Sequence, residues 1–193
     1  IRYPWETPPE NGEMIEIAEG VHWLRLHLPM KLDHVNIYVL DDGDGWTLID
    51  TGMKSRRVQA MWQAVLDGPL RGKPVKRVVA THHHPDHIGF HGWFVEEFGA
   101  EYVSTQVAYL MGRMLTMDIQ ERYTEGQIEF YRRAGMRADL LAARQDERPF
   151  NFSQIIDSIQ AVQGHQFTNA PILVACVNSI NIAVQSDVCI WLS

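Results

Sequence analysis

Between residues 13 and 50 apolar and polar positions alternate with the two-residue period of half-buried strands. Val35, Ile37 and Val39 fall on one face, and the turn residues Asp41 to Gly45 lead into an apolar run from Trp46 to Ile49, which predicts a hairpin. After Asp50-Thr51-Gly52 the period changes. Val58, Met61, Trp62, Val65 and Leu66 take helical spacing, Ser55 is placed to cap that helix, and Gly68-Pro69 ends it. Val75 to Ala80 is a short, β-branched strand. Thr81 to Gly89 reads as a loop, because Pro85 and its polar neighbours cannot continue a central ladder. A second helix runs from about Phe90 to Phe98 and stops at Gly99, and Tyr102 and Val103 suggest another strand. Strands alternating with helices imply an α/β layered domain. From Thr105 to about Arg144 the pattern is helical throughout, with Val107, Leu110, Met111, Met114 and Leu115 in helical register and Gly135 as a break. Met111, Met114 and Met117 read as core residues, since methionine fills irregular apolar gaps; a helical lid over a site is the alternative.

Composition narrows the class. The 193 residues suffice for one domain, spanning 1–193, and 46% apolar with 21% charged residues is a globular balance. A net charge of -7, from 17 basic and 24 acidic side chains, disfavours a nucleic-acid partner. The longest apolar stretch, near Ala170 to Val177, contains Pro171 and is far too short to span a bilayer, so no membrane partner is expected. Two cysteines, Cys176 and Cys189, form no disulfide framework, which makes the reducing cytoplasm the default location. The N-terminus shows no signal segment, and its lack of an initiator Met leaves room for a missing leader. Residues 151–193 contain no Lys or Arg, where random placement would give about four, and only Asp157 and Asp187 are acidic. Buried strands would explain this shift, and so would an altered stretch of sequence.

The chemistry is concentrated in Thr81-His82-His83-His84-Pro85-Asp86-His87. At this content of His and Asp, the pattern H-x-H-x-D-H arises by chance in about one chain in a thousand. Imidazoles mixed with a carboxylate suit Zn²⁺ first, with Fe or Mn possible, and an ion would also partner groups that packing would otherwise strand. His82 and His84, two apart in extended chain, point the same way and can share one ion while His83 points elsewhere. Pro85 then turns the chain, so that Asp86 and His87 can reach a second ion. One or two ions per chain are therefore expected. Two adjacent ions can hold a hydroxide of lowered pKa that attacks a carbonyl or phosphoryl centre, with no Ser or Cys nucleophile.

Asp50-Thr51-Gly52 on a strand end, the helix after it, and the H-x-H-x-D-H loop about 30 residues later resemble the N-terminal half of the metallo-β-lactamase superfamily, in its glyoxalase II-like and lactonase-like branch. The resemblance covers roughly residues 13 to 104. It implies an αββα sandwich, a helical insertion around residues 105–145, and a site in which His82 and His84 bind the first metal and Asp86 and His87 the second. Asp86 would also hold the hydroxide as the catalytic residue, and Asp50 would orient a ligand. The family's C-terminal half supplies three more ligands, a His in a G-H-S/T-x-x-H segment, a bridging Asp and a late His. Here only His165 follows His91, and Gly164-His165-Gln166-Phe167-Thr168-Asn169 does not continue the pattern. Val188-Cys189-Ile190-Trp191 resembles the strand after the missing segment, which would set Ala183 where a ligand is expected, with Asp187 nearby. His165 and Asp187 are thus candidates outside the family pattern, and a chain ending at Ser193 suggests a truncated C-terminal half.

Other residues carry two readings. His34 is a loop histidine or faces the site; His91, four residues after His87, supports it or lies on the surface. Asp50 alternatively caps the helix near Ser55, and Cys189 is core or a ligand. The expected function is a metal-dependent hydrolase whose metal-bound hydroxide attacks an ester-like carbonyl, such as a thioester or lactone, in a small-molecule substrate. The rival is a non-catalytic metal-binding homologue acting as a structural or interaction protein.

Overall fold

A computed structural model describes residues 7–157 and the backbone of 166–167. Four strands, β1 (Met14–Ala18), β2 (Val21–His27), β3 (His34–Asp41) and β4 (Trp46–Ile49), form an antiparallel meander. Three parallel strands continue the same sheet: β5 (Val75–Val79), β6 (Glu101–Ser104) and β7 (Gln166–Phe167). Spatial order follows chain order from β1 to β7. The β3–β4 hairpin expected from the alternation is present, with Tyr38 opposite Ile49 and Asp41 opposite Trp46.

Helix α1 (Arg56–Asp67) begins where the pattern places it, since the Ser55 hydroxyl accepts from the Val58 N–H at 3.2 Å. It buries Val58, Trp62 and Val65. Helix α3 (His91–Phe98) ends at Gly99, whose φ of 66° is the left-handed conformation that glycine adopts without strain. Both helices pack on the sheet, and Trp62 meets Phe94 edge to face with ring centroids 5.0 Å apart. Leu24, Leu26, Ile37, Val39, Leu48 and Val78 complete this core, and burying each such side chain contributes about 1.5 to 3 kcal/mol. The architecture is the expected α/β class. One sheet of the αββα sandwich is present among the described residues; His165, Asp187, Cys176 and Cys189 lie outside them.

Two expectations change. Pro85 does not simply break the chain: Pro85–Ile88 is a single helical turn, α2, with the proline at the first position, where its missing N–H leaves no bond unmade. The methionines of α4 (Gln106–Met117) are not core. Met114 is 49% and Met117 67% exposed, while α4 buries its small residues Ala108 and Gly112 instead. A Cβ at position 112 would stand 2.9 Å from the Ile88 side chain, so the contact depends on a residue without one. Two further helices, α5 (Glu125–Arg133) and α6 (Ala138–Asp146), follow, separated as expected at Gly135. Asn151 ties this region together by accepting from the Gln120 N–H at 2.7 Å and donating to the Gln120 carbonyl at 3.0 Å. Among the described residues no helix is long and apolar enough to cross a membrane.

Candidate metal centre

The site begins where two parallel strands end. β4 and β5 are neighbours, so their carboxyl ends deliver Asp50 and Thr81 side by side, and the Asp50 N–H donates to the Val79 carbonyl at 2.9 Å. Asp50 has a φ of 64°, a left-handed conformation costly for a residue with a side chain. Its carboxylate, almost wholly buried, faces the histidine loop. Oδ1 accepts from the Thr81 N–H at 2.9 Å; Oδ2 accepts from the Thr81 hydroxyl at 2.6 Å and lies 2.7 Å from His87 Nδ1. Asp50 is therefore an orienter of the loop. It is not the cap of α1, a role that Ser55 fills.

Thr51 fastens the same two segments through the backbone. Its N–H and its hydroxyl both donate to the His87 carbonyl, and its oxygen accepts from the Phe90 N–H at 3.1 Å. Trp62 Nε1 reaches from α1 to the Thr51 carbonyl at 2.7 Å. The approach is close enough to require glycines. Gly52 has a φ of 80°, and a Cβ on Gly89 would collide with the backbone of Gly52 and Lys54.

The donors follow from this frame. With Nδ1 committed to Asp50, the other nitrogen of His87 faces Asp86, and Nε2 lies 3.4 Å from Asp86 Oδ2. The His82 ring lies 4.0 Å from that of His87 and 4.6 Å from that of His84, centroid to centroid, while His83 stands 6.5 Å from His82. His82, His84, Asp86 and His87 are thus neighbours, and the His83 ring lies beside that of His84, with centroids 5.1 Å apart. Burial opposes the charged form of His87, yet its hydrogen bonds to Asp50 and Asp86 outweigh burial and push its pKa up to about 10. Burial also works against the charge on Asp86, but His87 holds the carboxyl below its ordinary value. Burial, reinforced by the charge of His87, pushes His82 down to about 4.

The donor chemistry fits a divalent ion. His82, kept neutral by burial, and the ionised carboxylate of Asp86 are donor types that Zn²⁺, Fe or Mn sites use, and an ion held by His87 would displace the proton on its Nε2. The geometry is incomplete, because no three His, Cys, Asp or Glu side chains among the described residues are arranged to hold an ion by themselves. Donors from elsewhere in the chain would have to close the coordination.

Of the remaining candidates, His34 opens β3 and pairs with Asp33 at 2.7 Å, with no hydrogen bond to the cluster among the described residues. His91 is not on the surface; it is fully buried, with Nδ1 3.0 Å from the Thr51 hydroxyl and its ring edge-on to Tyr102. The hydroxyls of Thr51 and Thr81 went unread in the sequence. Each sits next to a recognised motif residue, which was the only signal available.

Comparisons with known proteins identify the family. The probable metallo-hydrolase YqjP of Bacillus subtilis (strain 168) is 28% identical over 107 residues, 55% of this chain and 33% of that protein. A beta-lactamase domain protein from Burkholderia ambifaria is 30% identical and superposes with a TM-score of 0.59, covering 82% of this chain and 46% of the other. A metallo-beta-lactamase family protein from Thermus thermophilus, 23% identical, shares the fold with a TM-score of 0.56, over 75% of this chain and 45% of its own. The chain thus spans less than half of each of these relatives. The family's sequence model matches residues 30–165, which contain the Asp50 turn, the whole histidine loop and the helix between them: this chain belongs to the metallo-beta-lactamase superfamily.

Proposed function

We propose that the chain is a metal-dependent hydrolase acting on an ester-like carbonyl, a thioester or lactone, in a small-molecule substrate. The observation that carries the reading is the double commitment of His87. Its Nδ1 is held by buried Asp50 and its Nε2 lies against the Asp86 carboxylate, beside the rings of His82 and His84, so that an ion displacing the Nε2 proton would find the imidazole and the carboxylate as adjacent ligands. In this reading His82 and His84 would hold one ion and Asp86 and His87 a second, with zinc the first choice and iron or manganese as substitutes. A divalent ion held there would lower the pKa of bound water toward neutrality and would polarise the substrate carbonyl.

The chain's own groups do the rest. Asp86 is ionised at neutral pH and accepts a hydrogen bond from the attacking solvent molecule, fixing its direction. Asp50, through His87, keeps the donor nitrogens from rotating away. A cytoplasmic setting belongs to the same reading, since the two cysteines offer no disulfide framework.

The test is hydrolysis of a panel of thioesters and lactones by the zinc-loaded chain, with metal content measured on the same sample. Turnover that a strong chelator abolishes, and that Asp86→Ala lowers by about 100-fold or more, supports the proposal. Chelator-insensitive turnover overturns it. One observation favours a second reading, a metal-binding protein without catalysis: no three donors converge among the described residues. In that case the intact chain binds at most one ion, weakly, and turns over nothing.

A further inference from the structure

We propose that Thr81 is a positioning residue whose hydroxyl passes the hold of Asp50 on to His82, fixing that ring with its proton on Nδ1 and its Nε2 bare. The argument is an accounting of protons. A threonine hydroxyl has one proton to donate. The short approach to Asp50 Oδ2, at 2.6 Å, takes that proton, because a carboxylate is the stronger acceptor of the two groups in reach. Thr81 Oγ1 then faces His82 Nδ1, at 3.0 Å, with lone pairs only. Two lone pairs cannot bond, so the proton between them belongs to Nδ1. A neutral imidazole carries a single N–H, which leaves Nε2 as the free donor nitrogen.

The same carboxylate oxygen also takes the hydrogen bond of His87 Nδ1 at 2.7 Å. Asp50 Oδ2 is therefore the common anchor of two rings whose centroids are 4.0 Å apart, one held directly and the other through Thr81. The backbone makes the relay rigid: the Thr81 N–H donates to the other carboxylate oxygen at 2.9 Å, so residue 81 grips both oxygens of Asp50. The purpose of a bare Nε2 rests on the metal-dependent reading given above, whereas the proton position does not.

Two-bond ¹H–¹⁵N correlation spectra of the histidines in the metal-free, unmodified chain at pH 8 test the relay directly. His82 carrying its proton on Nδ1 supports it; His82 carrying its proton on Nε2 overturns it. Zinc affinity, measured by competition with a colorimetric chelator, tests the consequence. Thr81→Val should bind zinc about 10-fold more weakly, while Thr81→Ser, which keeps the hydroxyl, should stay within about 2-fold of the unmodified chain. Equal affinity in all three chains, or an equal loss in both variants, overturns the positioning role. If Thr81→Val does not fold, the serine variant and the spectra of the unmodified chain still decide. Failure of the wider reading looks different, with the Nδ1 proton in place on His82 and no zinc bound.

Discussion

The carbonyl of His87 receives two hydrogen bonds from the same residue, Thr51, one from its N–H at 2.8 Å and one from its hydroxyl at 3.1 Å. The turn after β4 and the donor loop after β5 are thereby one mechanical piece. Thr51→Val removes the hydroxyl and leaves the Phe90 N–H without its acceptor, so it should lower stability by about 2 kcal/mol. Thr51→Ser should stay within about 1 kcal/mol of the original. Urea denaturation of the two variants checks this, and equal losses would show that the hydroxyl contributes nothing.

Gly89→Ala should be severe although its φ of -56° and ψ of -34° suit alanine. The added methyl has no room, because it would meet the backbone of Gly52 and Lys54, which cannot swing aside as a side chain end would. A loss of about 3 kcal/mol is expected in denaturant titration. Gly99→Ala makes the contrast: no atom lies within 4 Å of its Cβ, so its loss, of about 1 kcal/mol, comes only from the left-handed backbone.

Acid should destabilise the metal-free chain before its carboxylates titrate. Burial pushes His91 down to about 4 from an ordinary value of 6.5, so between those values the unfolded chain binds a proton that the folded chain refuses. Stability is then fully present above about pH 6.5 and falls as the pH drops toward 4, by about 3 kcal/mol from this group. His82 contributes in the same direction. His87, raised, does not act in this window, because its contribution is lost only as the pH climbs toward 10. Denaturation at pH 7.5 and 4.5, with and without His91→Asn, isolates the part due to His91; an unchanged pH slope in the variant contradicts the assignment.

Zinc should stabilise the folded chain by mass action, by about 2.7 kcal/mol at a free concentration 100 times the dissociation constant. In a domain of this size that is a rise in Tm of about 5 °C or more. A thermal scan in which chelator reverses the rise, and in which His84→Ala reduces it, supports ligation by the loop. A rise that survives His84→Ala would place the ion elsewhere.

Much of this was legible in the sequence because the signals were local. The caps at Ser55 and Gly99 and the apolar face of α1 are determined by residues within two turns of one another. So is the run from His82 to His87, whose donors are contiguous in the chain. The errors have a different origin. Met114 and Met117 have the helical spacing of core residues, but spacing fixes only which residues share a face; which face is buried was decided by Gly112 and Ile88, at opposite ends of a long-range contact. His91 was open between a supporting and a surface position, because its burial depends on Thr51, just after β4, and on Tyr102 in β6, neither of which is near it in sequence. The Pro85 turn was missed because the same residue that ends a ladder also starts a helix.

The placement of β4 beside β5, running in the same direction, has a consequence for how the molecule matures. Asp50 and His87 are 37 positions apart, and the chain must close around the whole of α1 before they meet. Such non-local closure is slow compared with the formation of a helix. The histidines, being contiguous, are available from the moment they leave the ribosome, whereas their carboxylate anchor arrives only when the two strands pair. A nascent chain therefore carries its imidazoles as a pliable string, and the fixed spacing seen between the His82 and His87 rings comes only with the pairing of β4 and β5.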